Sequence, residues 1–186
     1  MSETETKILD AAIRTFLRYG AKKTSMNDIA EAAGVSRQTL YDLFGGKDEL
    51  IQASTRAITD KKLSSVRARL KPEMSLRVQL EVYLEGTVVE SWEALRAAGD
   101  AEELVAGYHE AGKEEIARSH ERHVDLLEEI FAPFARPLAT YGLEPREQAH
   151  FVMSTAMGLK TGASSRAELD ALLKSLVANC LSVAAD

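Results

Sequence analysis

Apolar positions recur every three or four residues along nearly the whole chain. No alternation of period two runs long enough for a strand, so the pattern predicts an all-α fold of about nine helices. Between Glu5 and Tyr19, the residues Ile8, Leu9, Ala12, Ile13, Phe16 and Leu17 make one apolar stripe, closed by Gly20. Two short helical segments follow. The first carries Ile29, Ala30 and Ala33 on one side; the second turns Leu40, Leu43 and Phe44 inward and stops at Gly45-Gly46. Lys47 to Lys71 contains neither Pro nor Gly, which predicts a helix of about 24 residues, roughly 36 Å long at 1.5 Å per residue. A helix of that length leaves a three-helix head and enters a second domain. The expected division is 1–47 for the head and 48–186 for the rest.

Beyond Pro72, placed in a first helical turn, Glu73 to about Ala97 carries Leu76, Leu80, Tyr83, Leu84, Val88 and Trp92 on one side. Asp100 is the expected cap of a short helix ending near Tyr108. Lys113 to about Phe134 presents Ile116, Val124, Leu127, Ile130 and Phe131. Pro145 opens a helix to Gly162, and Ser165 with Glu168 reads as a capping box for the last helix. In the head, Ser25 with Asp28 has the same character, Gly34 supplies a positive φ at no Cβ cost, and Ser36 caps the next segment.

Composition narrows the picture. Hydrophobic residues make up 45% of the 186, enough for a core, and no apolar run approaches the ~18 residues of a membrane span. The start, Met-Ser-Glu-Thr-Glu, has no secretory character, and a single cysteine, Cys180, fits a reducing cytoplasm. The net charge of −6 divides unevenly: residues 1–56 hold eight basic and eight acidic side chains, and the rest holds 15 and 21. The acidity therefore lies outside the head, although the head itself is neutral and its basic footprint weak.

A short helix, a Gly turn and a second helix offering Arg37, Gln38, Thr39 and Tyr41 near its start form a helix-turn-helix reader of DNA. The ordered series Ile8, Ala11, Ala12, Phe16, Gly20, Thr24, Ile29, Ala30, Ala33-Gly34-Val35-Ser36, Thr39-Leu40-Tyr41, Phe44, Lys47 and Leu50 resembles the TetR family of transcriptional repressors. That resemblance implies a homodimer on a palindromic double-stranded DNA operator, a C-terminal domain that binds a small-molecule effector, and release of DNA on binding it. It implies phosphate contacts by Thr24, Ser25, Tyr41 and Lys47, base contacts by Arg37, Gln38 and Thr39, and a place for Ser36 at the same interface. Three positions depart from the family pattern. Gln38 replaces a common glycine and can pair bidentately with adenine, as Arg37 can with guanine. Asp42 would be repelled by the DNA backbone, so it is expected to turn away or pair with a base. Gly46 lacks a capping side chain before Lys47.

Effector pockets in helical domains form between helices and are mostly apolar with a few polar groups. Tyr83, Thr87, Trp92, Tyr108, His123, Leu127, Met153 and Met157 are the candidates. Aromatic and Met residues at helical spacing also read as plain core; Thr87 and His123 stand out as polar groups on apolar stripes. Without an Arg cluster, the pattern points to an apolar or cationic effector. The last two helices are the expected dimer contact, given Gly158-x-x-x-Gly162 and a wide apolar face on the last. Glu147-x-x-His150 has the spacing of helical di-iron sites but no second copy, and His120 and His123 lie three apart. No phosphate loop, nucleophile elbow or zinc spacing occurs, so neither cofactor nor enzymatic activity is expected. The alternatives are a helix-turn-helix protein without ligand, or a helical protein with a metal or enzymatic role.

Overall fold

The computed structural model describes residues 1–97 and 112–185. Among these the fold is all-α, without a strand. The chain divides into two compact units, one of Met1–Lys61 with Ala94–Ser119 and one of Lys62–Glu93 with His120–Asp186.

The first unit begins with α1 (Glu3–Tyr19), α2 (Met26–Ala33) and α3 (Arg37–Phe44), followed by the start of α4 (Lys47–Arg69). The amphipathic stripe of α1 buries Ile8, Leu9, Ala12 and Phe16 against Ile29, Ala30 and Ala33 of α2, Leu40 of α3, and Leu50 and Ile51 of α4. Burying one such aliphatic side chain stabilises by about 1.5–3 kcal/mol. Leu43 is 40% exposed, contrary to the inward placement its spacing suggests, and Phe44 is half-buried. Leu40 and Phe44, four residues apart, take the inward line of α3, and Leu43, about 60° round from Leu40 on the side away from Phe44, falls toward solvent. In the α7 segment (Lys113–Phe131), Glu115 and not Ile116 is the fully buried residue near the start. Its carboxylate accepts from Arg56 at 3.1 Å and from Arg118 Nε at 2.8 Å, which offsets the cost of removing it from water.

The second unit contains α5 (Leu76–Leu84), a π turn (Glu85–Val89), α6 (Glu90–Ala97, of which Glu90–Glu93 lie in this unit), the larger part of α7, α8 (Ala135–Thr140), α9 (Pro145–Gly162) and α10 (Arg166–Val183). Helix α5 starts at Leu76, capped by the Ser75 hydroxyl, so Pro72 precedes the helix instead of lying in its first turn. The expected uninterrupted helix to Ala97 is also broken by the π turn, where Gly86 comes so close to α4 that a Cβ would sit 2.8 Å from the Val66 methyl. A 3₁₀ turn at Ala132–Phe134, with Pro133, ends the α7 rod. The last cap differs by one residue from expectation. Ser165 Oγ accepts from Glu168 N, but the Glu168 carboxylate accepts from the Ser164 backbone at 2.8 Å. Leu80, Tyr83, Val88, Leu127, Phe131, Val152, Leu169 and Val177 form the core of this unit. No helix among the described residues is long and apolar enough to cross a membrane.

Candidate functional site

The head builds its outer face from caps. Ser25 N and Oγ both donate to Asp28 Oδ2 at 2.8 Å, and Asp28 N returns a bond to Ser25 Oγ. Those bonds, with the nearby Arg37 cation, hold the Asp28 carboxyl below its usual range. Gly34 takes φ 63°, the left-handed turn its position demands, and closes α2. Ser36 Oγ accepts from Thr39 N at 3.0 Å, so α3 starts at Arg37 and leaves Arg37 and Gln38 exposed on its first turn. Tyr41, 47% exposed, follows one turn after Arg37, and Asp42 one turn after Gln38. Thr39 and Lys47 are half-buried.

Two expectations acquire a different form. The Thr24 side chain is only 2% exposed and its hydroxyl donates to Gly20 O at 2.9 Å, so it closes the α1–α2 turn instead of facing solvent as a phosphate donor would. Asp42 accepts from Gln38 Nε2 at 2.7 Å on its own helix. This bond uses one amide hydrogen of Gln38 and leaves the other, with Oε1, free for the pair of contacts an adenine edge offers.

In the second unit the structure joins Tyr83, Thr87 and His123. Tyr83 Oη lies 2.9 Å from His123 Nδ1, with the rings edge to face. Thr87 Oγ1 donates to Tyr83 O at 2.7 Å and Ser91 Oγ to Thr87 O at 2.6 Å. Burial pushes the Tyr83 phenol well above its ordinary value. Burial, reinforced by the positive charges of His120, Lys160, Lys62 and Arg122, brings His123 down to about 4, so its imidazole is neutral at pH 7. Trp92 Nε1 donates to Ala163 O at 3.4 Å and its ring is half-buried, as is Met157. Leu127 and Met153 are enclosed in the core. Tyr108 lies outside the described residues.

Sequence reasoning missed Lys62, Ser91 and Lys160. Lys62 Nζ donates to Ser91 Oγ, and burial with the neighbouring Lys160 charge brings Lys62 down to about 8. Burial lowers Lys160 as well. The signal was present in the register: Lys62 stands four residues before the buried Val66, and Lys160 four after the buried Ala156. A lysine in step with an apolar stripe is placed facing inward.

Other singled-out groups have local roles. Glu147 caps the Glu144 backbone at 2.9 Å, and His150 Nε2 lies 3.6 Å from Glu121. Cys180 is buried, and desolvation raises its thiol to about 11; Gln148 Nε2 donates to its sulfur at 3.6 Å. On α9, Phe151 is 53% exposed, and a Cβ at Gly158 or Gly162 would meet nothing within 4 Å.

Residues 8–54 match the family model described as bacterial regulatory proteins, tetR family. The chain belongs to the TetR family. It is 25% identical, over the full length of both chains, to a putative TetR-family transcriptional regulator from Rhodococcus sp., with a TM-score of 0.71. Over 135 residues it is 31% identical to the uncharacterized HTH-type transcriptional regulator YezE of Bacillus subtilis, covering 67% of this chain and 64% of YezE. Over 130 residues it is 28% identical to the HTH-type transcriptional repressor KstR2 of Rhodococcus jostii, covering 70% of this chain and 60% of KstR2. The chain thus spans a little under two thirds of the length of these curated relatives.

Proposed function

We propose that this TetR-family protein is a sequence-specific DNA-binding regulator, a repressor released from a palindromic operator by a small-molecule effector. The observation that carries the reading is the row of exposed side chains on α3, Arg37, Gln38, Tyr41 and Asp42, presented from a capped helix-turn-helix inside the family-matched stretch. An eight-residue helix is about 12 Å long, the width of the major groove. Residues 1–47 form the reading head. Arg37, Gln38 and Thr39 meet base edges there, while Ser25, Ser36, Tyr41 and Lys47 meet the backbone. Residues 48–186 bind the effector, at Tyr83, Thr87, Trp92 and His123 among others, and make the dimer. The family relationship to a named repressor, KstR2, favours repression over activation.

The open glycines Gly158 and Gly162 with exposed Phe151 support a dimer contact through α9, beside α10. Two heads on one face of DNA must lie about one helical turn apart, roughly 34–36 Å. An effector that prefers one disposition of α4 then alters operator affinity, and only to the extent of that preference. The test is selection of duplexes from a random pool by the purified protein, followed by anisotropy with the selected site. A two-fold symmetric consensus, lost in Arg37→Ala, is the expected outcome. Binding without sequence preference, or unchanged in Arg37→Ala, would reject the assignment of α3 as reader.

A further inference from the structure

The second unit contains a polar cluster that core packing does not account for. Its spine is a run of bonds from Lys62 Nζ to Ser91 Oγ, from Ser91 Oγ to Thr87 O, and from Thr87 Oγ1 to Tyr83 O, with Tyr83 Oη on His123. Thr87 lies within the π turn, a feature that inserts one extra residue into a helix and is common at functional sites. The C-terminal end of α9 comes to the same place. Ala163, three residues after Lys160, accepts from Trp92, the residue after Ser91. Helix α9 also packs directly on the π turn.

Lys62, bonded to Ser91, and Lys160, one turn before the Ala163 that meets Trp92, thus both belong to this cluster, each half-buried in a largely apolar unit. Among the described residues neither has a carboxylate within ion-pair distance, and the one bonded partner of Lys62 is a neutral hydroxyl. Glu90, whose charge acts on Lys62, is paired with Arg69 at 3.6 Å. Two cations in one poorly solvated cluster are unfavourable unless an anion joins them. His123 supplies no counter-charge, since a histidine side chain is neutral or positive, and its Nδ1 is already engaged by Tyr83.

We propose that this unit binds a small organic anion, with its acidic head between Lys62 and Lys160, hydrogen-bonded beside Ser91, and its apolar body against Trp92 and Met157. The site deepens the effector reading above and rests on it for its regulatory meaning, though not for the binding itself. It also reverses the expectation of an apolar or cationic effector, which came from charge composition. Two inward-facing lysines outweigh a dispersed excess of acids because the field inside a helical unit is set by the nearest unscreened charges.

Calorimetric titration of the full chain without DNA, at pH 7 and low salt, tests this with octanoate, octyl phosphate, octanol and octyltrimethylammonium. One or both anions bind about tenfold or more tightly than octanol and the cation, the two anions telling a carboxylate head from a phosphate one. Lys62→Gln and Lys160→Gln each remove about tenfold of that preference and leave octanol within about twofold. Equal binding of octanol and both anions, or an anion preference that survives in the double variant, overturns the proposal. A thermal melt excludes the alternative that Lys160 merely complements the C-terminal dipole of α9. Lys160→Met then lowers the melting temperature, whereas relief of a buried unpaired charge raises it. Anisotropy on the selected operator separates the two readings. Lysine-dependent anion binding without any change in operator affinity keeps the site and removes its role as effector pocket. Operator release by some other compound, with no anion preference, does the reverse.

Discussion

The head and the second unit place their polar chemistry in opposite ways. In the head, the polar side chains that shape the outer face bond to neighbours three or four residues away: Ser25 to Asp28, Ser36 to Thr39, Gln38 to Asp42. The groups are exposed and stand on short capped helices over a separate apolar layer. In the second unit the informative bonds join residues far apart in sequence, Lys62 with Ser91 and Tyr83 with His123, and they run through the core. A surface that meets DNA can be assembled from local rules, because its partner supplies the other half of each contact. A buried site must balance desolvation within the fold, so its polar groups are shared among several helices.

The largest effect that would break this comparison is in the head's apolar layer. Leu40→Ala removes the fully buried side chain of α3 and should cost about 2–5 kcal/mol in denaturant unfolding, with DNA binding lost as a consequence. If Leu40→Ala abolished binding at unchanged stability, the separation between packing layer and reading face would be wrong.

Next in size is the response of the second unit to acid. His123 is neutral in the folded state because burial and the facing Lys62, Lys160, His120 and Arg122 hold it near 4, below its ordinary 6.5. The unfolded chain therefore takes up a proton first. Stability from this group is fully present above about pH 6.5 and is lost as the pH falls toward 4, by at most about 3 kcal/mol at 1.36 kcal/mol per unit. Chemical denaturation at stepped pH should show that slope in the wild type and a shallower one in His123→Gln, whose amide oxygen can still accept from Tyr83.

On the reading face, Arg37→Ala and Gln38→Ala should each weaken operator binding by about tenfold to a hundredfold while leaving the melting temperature within a degree or two. Asp42→Ala sharpens the point. It frees the Gln38 amide, and it also removes a negative charge from the proposed reading face. Nonspecific DNA affinity should rise, and discrimination at the base read by Gln38 should fall a few-fold, measured by competition between duplexes differing at that base. Equal discrimination in Asp42→Ala and wild type would show that the Gln38–Asp42 bond positions nothing.

The smallest expected effect has the opposite sign from most substitutions. Lys62 is held at about 8, below its ordinary 10.5, so folding at pH 7 confines a charge that water would hold better. Lys62→Met should stabilise the protein by about 1 kcal/mol in the absence of ligand while lowering its affinity for anions. Stability of the wild type should rise as pH passes from about 8 toward 10.5, and that rise should be smaller in the variant.

The apolar periodicity by itself determined the all-α class, the run of helices through α4, and the reader, because caps, glycine turns and i, i+3, i+4 stripes act within one turn of helix. Ser25, Gly34 and Ser36 do in the structure what their positions demand. Only the tertiary structure decided which polar groups meet. It turned Leu43 outward and Glu115 inward, tied the Thr24 hydroxyl to a turn, and interrupted α5 and α6 with a π turn at Gly86. Above all, it bonded Lys62, on the fourth helix, to Ser91, and packed the α9 helix that carries Lys160 on the same π turn. The register of the two lysines hinted that each faces inward, but only the packing of separate helices gathered these groups into one cluster, since no local rule couples side chains so far apart along the chain.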